Sequence, residues 1–208
     1  MPQSIGAGIR HALLALAMAV TLPFAGLATA AEHPAQELVV SSTTEMLDVL
    51  KNESDRIAAD PEYLSAKVEE IVVPNLDFDT MTKLAIGKFW RQADETQRAE
   101  LVAEFRTLLL NTYTSAMTEY SGGTISFEPF RPEEREDRAV VRSTFDQSGG
   151  QDVPVTYKLR DKDGWSIYDI EVDGLSLVTN YRTAFANEIR KGGIAGLLET
   201  LEKRNARS

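Results

Sequence analysis

The chain has 208 residues with 22 basic and 32 acidic side chains, a formal charge of −10 and no cysteine. That acidic balance argues against a nucleic-acid partner and against direct adhesion to an anionic lipid surface, since both need clustered cations. Without thiols there is neither a disulfide nor a lipid anchored on cysteine.

Arg10 and His11 precede an apolar run from Ala12 to Leu22, and the small residues Ala28-Thr29-Ala30-Ala31 follow Pro23 and Gly26. A basic start, a short apolar core and an A-x-A site are the layout of a secretory signal peptide, with cleavage expected after Ala30. The core of about a dozen residues is too short for the roughly 20 that span a bilayer. The mature chain, 31–208, then has the size of one domain with a substantial core. Losing Arg10 and no acid leaves 21 basic against 32 acidic residues, a charge of −11. Export without cysteines points to a bacterial periplasm and a soluble mature protein.

Up to residue 121 the mature chain reads as helices. Val39, Met46 and Leu50 recur at helical spacing, with Thr43 between them, and predict a helix over Gln36–Lys51. Asp60-Pro61 supplies an N-cap and an N1 proline for a second, striped by Leu64, Val68, Ile71 and Val72 and closed before Pro74. Asp79 is the expected cap of a short third helix through Leu84 and Ile86 to Gly87. Asp94 with Gln97 forms a capping-box pattern that opens the longest helix, expected to run to about Tyr120. Its stripe, from Leu101 and Phe105 to Leu109, Tyr113 and Met117, needs a large partner surface.

After Gly122-Gly123 the pattern changes to strands: Thr124–Phe130, Arg138–Phe145, Val153–Arg160 and Trp165–Val172. The third alternates most clearly, with Val153, Val155, Tyr157 and Leu159 on one side and Pro154, Thr156, Lys158 and Arg160 on the other. Ser148-Gly149-Gly150 and Asp161-Lys162-Asp163-Gly164 read as hairpin turns, so the sheet is expected to be a mostly antiparallel meander of about four strands. A helix over Ser176–Arg190 and a short one around Leu197, Leu198 and Leu201 complete an α+β order.

Candidate chemistry is sparse. The only mature histidine, His33, lies beside the cleavage site in an end expected to fray. Ser176 in Gly174-Leu175-Ser176-Leu177-Val178 fails the nucleophile-elbow pattern at its last position and reads better as a helix cap. Asp161-Lys162-Asp163-Gly164 resembles the start of a calcium loop, but Val172 stands where a bidentate acid is required, so neither metal nor cofactor is expected. Asp169, next to Tyr168 on the fourth strand, and Tyr113 and Tyr120 on the long helix are the acid and phenols available for proton transfer in an apolar cavity. The alternative reading gives Asp169 backbone or tyrosine hydrogen bonds and leaves the phenols at a polar rim.

Asp60-Pro61-Glu62-Tyr63-Leu64, Val73-Pro74-Asn75-Leu76-Asp77-Phe78-Asp79, Gly87-Lys88-Phe89-Trp90-Arg91, Trp165-Ser166-Ile167-Tyr168-Asp169-Ile170 and Asp173-Gly174-Leu175-Ser176-Leu177-Val178-Thr179-Asn180-Tyr181-Arg182 follow one another in a recognisable order. In that order the chain resembles the periplasmic phospholipid-binding proteins of the Mla lipid-asymmetry pathway, also called toluene-tolerance or ABC-transporter auxiliary proteins. The resemblance implies an NTF2-like α+β body, with a helical first half and C-terminal helices packed on a curved sheet around an apolar cavity for acyl chains. It also implies a carrier that moves phospholipid between an outer-membrane lipoprotein and porin complex and an inner-membrane ABC transporter bearing a ring of MCE domains. Tyr113, Arg142 and Tyr157 carry over as lipid contacts on that resemblance. Phe127 and Phe145 are bulky enough to line or to fill a cavity, and Val155 shares the side of Tyr157.

Three functions therefore stand open: a non-enzymatic phospholipid carrier, an isomerase or dehydratase using Asp169 and a tyrosine on a hydrophobic substrate, and a cavity-free module docking on envelope proteins. N-terminal sequencing of the exported protein should find Ala31 or Glu32 first, because small residues occupy the positions before either cut. Met1 on the functional protein would remove the periplasmic assignment.

Overall fold

The main helices start where a side chain accepts a backbone N–H that the helix itself leaves unpaired. The computed structural model describes residues 33–114, 117, 122–146 and 150–207. The expected leader and cleavage site, the helix end near Tyr120 and the hairpin residues Ser148 and Gly149 fall outside these residues. Helix α1 (Pro34–Asn52) is capped by His33, whose Nδ1 accepts from Ala35 N at 3.2 Å. Instead of fraying, His33 stacks on Phe130, ring centres 4.1 Å apart, and meets Trp165 edge-on at 5.0 Å. Ring contacts to two aromatics fix an end that position in the sequence alone made look loose.

A short helix that the periodicity did not reveal, α2 (Ser54–Ala59), precedes α3 (Pro61–Ile71), which starts at the expected Asp60 cap. A 3-10 turn at Val73–Asn75 leads to α4 (Phe78–Ile86). Its cap is Asp77 and not Asp79: Asp77 Oδ1 accepts Thr80 N at 2.9 Å, while Asp79 lies inside the first turn. A second 3-10 stretch, Gly87–Gln92, leads to α5 (Glu95–Tyr113), whose Asp94 and Gln97 complete both halves of the capping box.

Five strands follow in simple meander order and are antiparallel throughout: β1 (Thr124–Phe127), β2 (Arg138–Asp146), β3 (Val153–Asp161), β4 (Trp165–Val172) and β5 (Leu175–Ser176). β1 ends before the expected Phe130 because Pro129 offers no N–H to the ladder. The two-residue β5 adds a fifth strand. A register shift between Lys158 and Leu159 bulges the β3–β4 pair. Leu76 bridges Ile167 in parallel, and Asp77 N donates to Ile167 O at 2.8 Å, tying the start of α4 to the sheet edge.

The last helix, α6 (Leu177–Asn205), is two helical segments broken at Gly193, as the glycine pair suggested. Gly193 has φ 69° and ψ −168°, a conformation that side chains strongly disfavour. Buried apolar residues among those described fall into three clusters. One joins α4, α5 and both halves of α6, one joins the start of α1 to a sheet face, and one joins the end of α1 to α2 and α3.

The opposite sheet face is held by charges. Asp169, 4% exposed, accepts Ser176 Oγ at 2.8 Å on both oxygens and Val178 N at 3.3 Å. Ser176 Oγ in turn accepts Thr179 N at 3.0 Å and caps α6. Lys158 pairs with Glu171 and lies 3.6 Å from Asp169. Burial opposes its charge, yet these carboxylates hold its pKa above the ordinary lysine value. Arg160 donates to Thr80 Oγ1 at 2.8 Å. Lys158 and Arg160 are thus structural clamps rather than free outer-face charges.

Replacing Asp169 by Ala should lower unfolding free energy by roughly 3 kcal/mol, because the Ser176 hydroxyl and Val178 N–H lose their acceptor and Lys158 loses a charge partner. Ser176→Ala should cost about 1–2 kcal/mol through the lost cap. Urea unfolding curves measure both, and a loss for Asp169→Ala below about 0.5 kcal/mol would show that the clamp does not hold α6 to the sheet.

Candidate binding site

Antiparallel register places directly opposed residues on one face. The apolar face of the sheet is therefore a set of four cross-strand rows: Ala139–Leu159–Ile167, Val141–Tyr157–Ile170, Phe127–Ser143–Val155–Val172 and Ile125–Phe145–Val153. The first row is sealed. Ala35 and Val39 of α1 pack on it at 0% exposure, and Ala139, Leu159 and Ile167 are no more than 4% exposed. Towards the fourth row the cover thins, and Ile125, Phe127, Val153, Val155, Ile170 and Val172 are only half-buried. One end of the face is thus closed by a helix, and at the other Ile125, Phe127, Val153, Val155 and Val172 stay half-buried around the buried Ser143 and Phe145.

Tyr157 marks the boundary between the two ends. Its ring is buried, and its hydroxyl bonds to the side chains of Thr43 on α1 and Ser143 on β2. Burial pushes the phenol pKa up while the two hydroxyl partners pull it down, and the net shift is upward. Ser143 is itself buried, with Oγ 3.5 Å from Val155 O. Two small hydroxyls thus stand by the phenol that this largely apolar surface must place.

Phe145 is held by a glycine. A Cβ on Gly123 would sit 1.9 Å from Phe145 Cζ, so the ring lies flush against the backbone where β1 begins. Gly122-Gly123, which punctuates the end of the helical half of the sequence, also makes room for this ring.

The six residues expected to contact lipid do not form one group. Phe127, Phe145, Val155 and Tyr157 share the apolar face. Arg142 alternates to the opposite face, paired with Thr156. Tyr113 ends α5 and packs on the helical cluster, hydrogen-bonded to Tyr181. Its pKa is pushed up to about 12, first by burial and then by Tyr181, against a lowering from Arg204. Ile125, Ile170 and Val172 were not among the expected contacts because only the strand register aligns them with Val155. Their alternation was the available signal.

The site has little chemistry. Asp169 pairs across the ladder with Lys158, on the face opposite Tyr157, and its oxygens are engaged by Ser176 and Val178. A base committed to a helix cap and facing away from the apolar surface cannot abstract a proton from a substrate lying on that surface. Asp161 Oδ1 accepts Gly164 N at 3.0 Å, so the calcium-like sequence is a closed turn.

The architecture agrees with that of a solved relative. The sequence model of the MlaC protein family matches residues 41–203. The chain belongs to the MlaC family. It is 27% identical over 187 residues to the toluene tolerance protein ttg2D of Pseudomonas putida, spanning 89% of this chain and 84% of that one. It is 24% identical over 160 residues to the intermembrane phospholipid transport system binding protein MlaC of Haemophilus influenzae, spanning 75% and 74%. A phospholipid-binding protein from Ralstonia solanacearum, solved in complex with a phospholipid, superposes with a TM-score of 0.76 at 32% identity. That match covers 84% of this chain and 98% of that one.

Two outcomes check the site. Gly123→Ala should destabilise the fold by roughly 1–3 kcal/mol, since Phe145 must leave its place, and a thermal melt unchanged from the parent would show that the ring is not seated there. Tyr113 keeps its proton to higher pH than an unfolded tyrosine, so its contribution to stability is complete below pH 10 and is lost as pH rises towards about 12. Tyr113→Phe should remove that part of the alkaline loss, and identical stability–pH curves for the two proteins would contradict it.

Proposed function

We propose that this protein is a soluble periplasmic phospholipid carrier with no catalytic step. In this reading the half-buried apolar end of the sheet face, around Val155, Phe127 and Phe145, receives acyl chains. The supporting observation is that surface, in a fold shared with a relative solved with phospholipid bound. Burying two acyl chains, about 30 methylenes at ~0.8 kcal/mol each, removes on the order of 20 kcal/mol of water exposure. A bilayer supplies about the same, so transfer between bilayer and protein is nearly balanced, as a reversible shuttle requires. The carrier would exchange lipid with an outer-membrane lipoprotein–porin complex and an inner-membrane ABC transporter with an MCE-domain ring, and so maintain outer-membrane lipid asymmetry. Among the described residues no helix is long and apolar enough to cross a membrane. The mature chain would be one lipid-binding domain over residues 31–208.

Organic extracts of gently purified protein should contain diacyl phospholipid by mass spectrometry. Val155→Asp sets a carboxylate against the acyl chains, where an unpaired charge costs several kcal/mol, so lipid occupancy should fall at least tenfold while the protein stays folded. Ser126→Asp lies on the exposed opposite side of β1 and should leave occupancy unchanged. Full lipid load in folded Val155→Asp would remove this face as the site. Absence of diacyl lipid from the unmodified protein would favour a filled docking module.

A further inference from the structure

Around the end of α4 the fold gathers cations that the acidic average of the chain conceals. The sequence has no acid between Asp79 and Asp94, and none between Asp173 and Glu188. The fold joins these two stretches: Arg182 on α6 donates from Nε and Nη2 to the Leu84 carbonyl at 3.0 and 2.8 Å, beside Gly87. Lys83, Lys88 and Arg91 are exposed on the same segment. Arg98 reaches from α5 to the Trp90 carbonyl at 3.3 Å, with its guanidinium 5.5 Å from the indole ring centre. Lys88 Nζ stands 5.3 Å from the centre of the Phe89 ring. Phe89 and Trp90 pack on the helical cluster but remain half-open to water. Asp79, one turn before Lys83 on α4, and Asp94 and Glu95 are the nearest acids along the chain, and the five cations outnumber them.

We propose that this face, with Lys83, Lys88, Arg91, Arg98 and Arg182 set around Phe89 and Trp90, is where the protein transiently touches an anionic bilayer surface. Aromatic rings flanked by cations suit the headgroup layer, where ring and charge each find a favourable medium. Each cation near an anionic leaflet strengthens binding by about fivefold, and acids more than about 8 Å away are screened at physiological ionic strength. A net negative charge therefore does not prevent contact through this one side. The occupant follows from charge complementarity, and the inference rests on the carrier reading: the complexes that exchange lipid with the carrier are seated in bilayers, whose headgroup phosphates are the anions nearest a docked carrier. Such contact is shallow and salt-sensitive.

Cosedimentation of the mature protein with vesicles tests it. Vesicles of phosphatidylcholine with about 30% phosphatidylglycerol should bind the protein at about 50 mM salt and release it by about 200 mM, while pure phosphatidylcholine should not bind. Lys88→Glu/Arg91→Glu should reduce binding at least tenfold, with Lys88→Gln/Arg91→Gln intermediate and melting temperatures unchanged. Lys162→Glu/Arg207→Glu makes the same charge change at exposed sites elsewhere and should bind like the parent. Failure of the unmodified protein to bind anionic vesicles at low salt, or equal binding by Lys88→Glu/Arg91→Glu, overturns the proposal. Salt-sensitive transfer of labelled phospholipid to a purified MCE-domain ring without vesicle binding would assign the face to an acidic protein and likewise overturn it. Phospholipid retained in extracts of the same proteins reports on the carrier reading separately.

Discussion

The structure depends on a mismatch of widths. Between its first and fourth rows the apolar face runs about 20 Å along the strands, from Ala139 to Phe145 of β2, and one helix with its side chains covers about 10–12 Å. Helix α1 lies on the apolar face and seals the Ala139–Leu159–Ile167 row completely, but in the Ile125–Phe145–Val153 row Ile125 and Val153 stay half-buried on either side of the buried Phe145. Apolar surface left half-open in this way must be covered by something, and the buried residues correspondingly form three clusters rather than one core. Other features of the fold serve to hold that opening in shape: the Tyr157 hydroxyl pinned between Thr43 and Ser143, and Phe145 lying on Gly123.

The reverse face of the sheet is built on different physics. It carries Lys158, Asp169, Glu171 and Arg160, and it binds α4 and α6 through directed polar contacts rather than apolar area. Polar clamps fix orientation, because each has one geometry that satisfies it, whereas apolar packing tolerates sliding. The same arrangement occupies Asp169, the acid on which an isomerase or dehydratase would depend. An enzymatic reading therefore loses its base to architecture.

Charge shows a comparable division. Averaged over the chain the protein is strongly acidic, and from that average neither nucleic acid nor an anionic membrane is an expected partner. The α4–α6 junction departs from the average because Arg182 fastens one acid-free stretch to another. Over distances longer than the screening length a surface is read by its local charges, and the average loses its meaning.

The sequence by itself determined the elements and their order. The Asp60-Pro61 start and the Asp94-Gln97 capping box are local hydrogen-bond patterns written within four residues, and strand alternation in β3 is equally local, so all were legible. The α+β class and the family followed from that order. Where a feature rested on a distant partner, the sequence misled: His33 looked frayed until Phe130 and Trp165 enclosed it. At the start of α4 two aspartates stand two residues apart, and Asp77, whose N–H is held by the Ile167 carbonyl, is the one that caps. Alternation already set Val155 beside Tyr157 and Phe145 opposite Arg142, but register alone brought Phe127, Phe145 and Val155 of three strands onto one surface, and register depends on how hairpins close. Local propensities and caps act over one turn of chain and can be read along it. The half-covered face, the occupied Asp169 and the gathered cations arise from contacts between residues tens of positions apart, and only tertiary structure decides those.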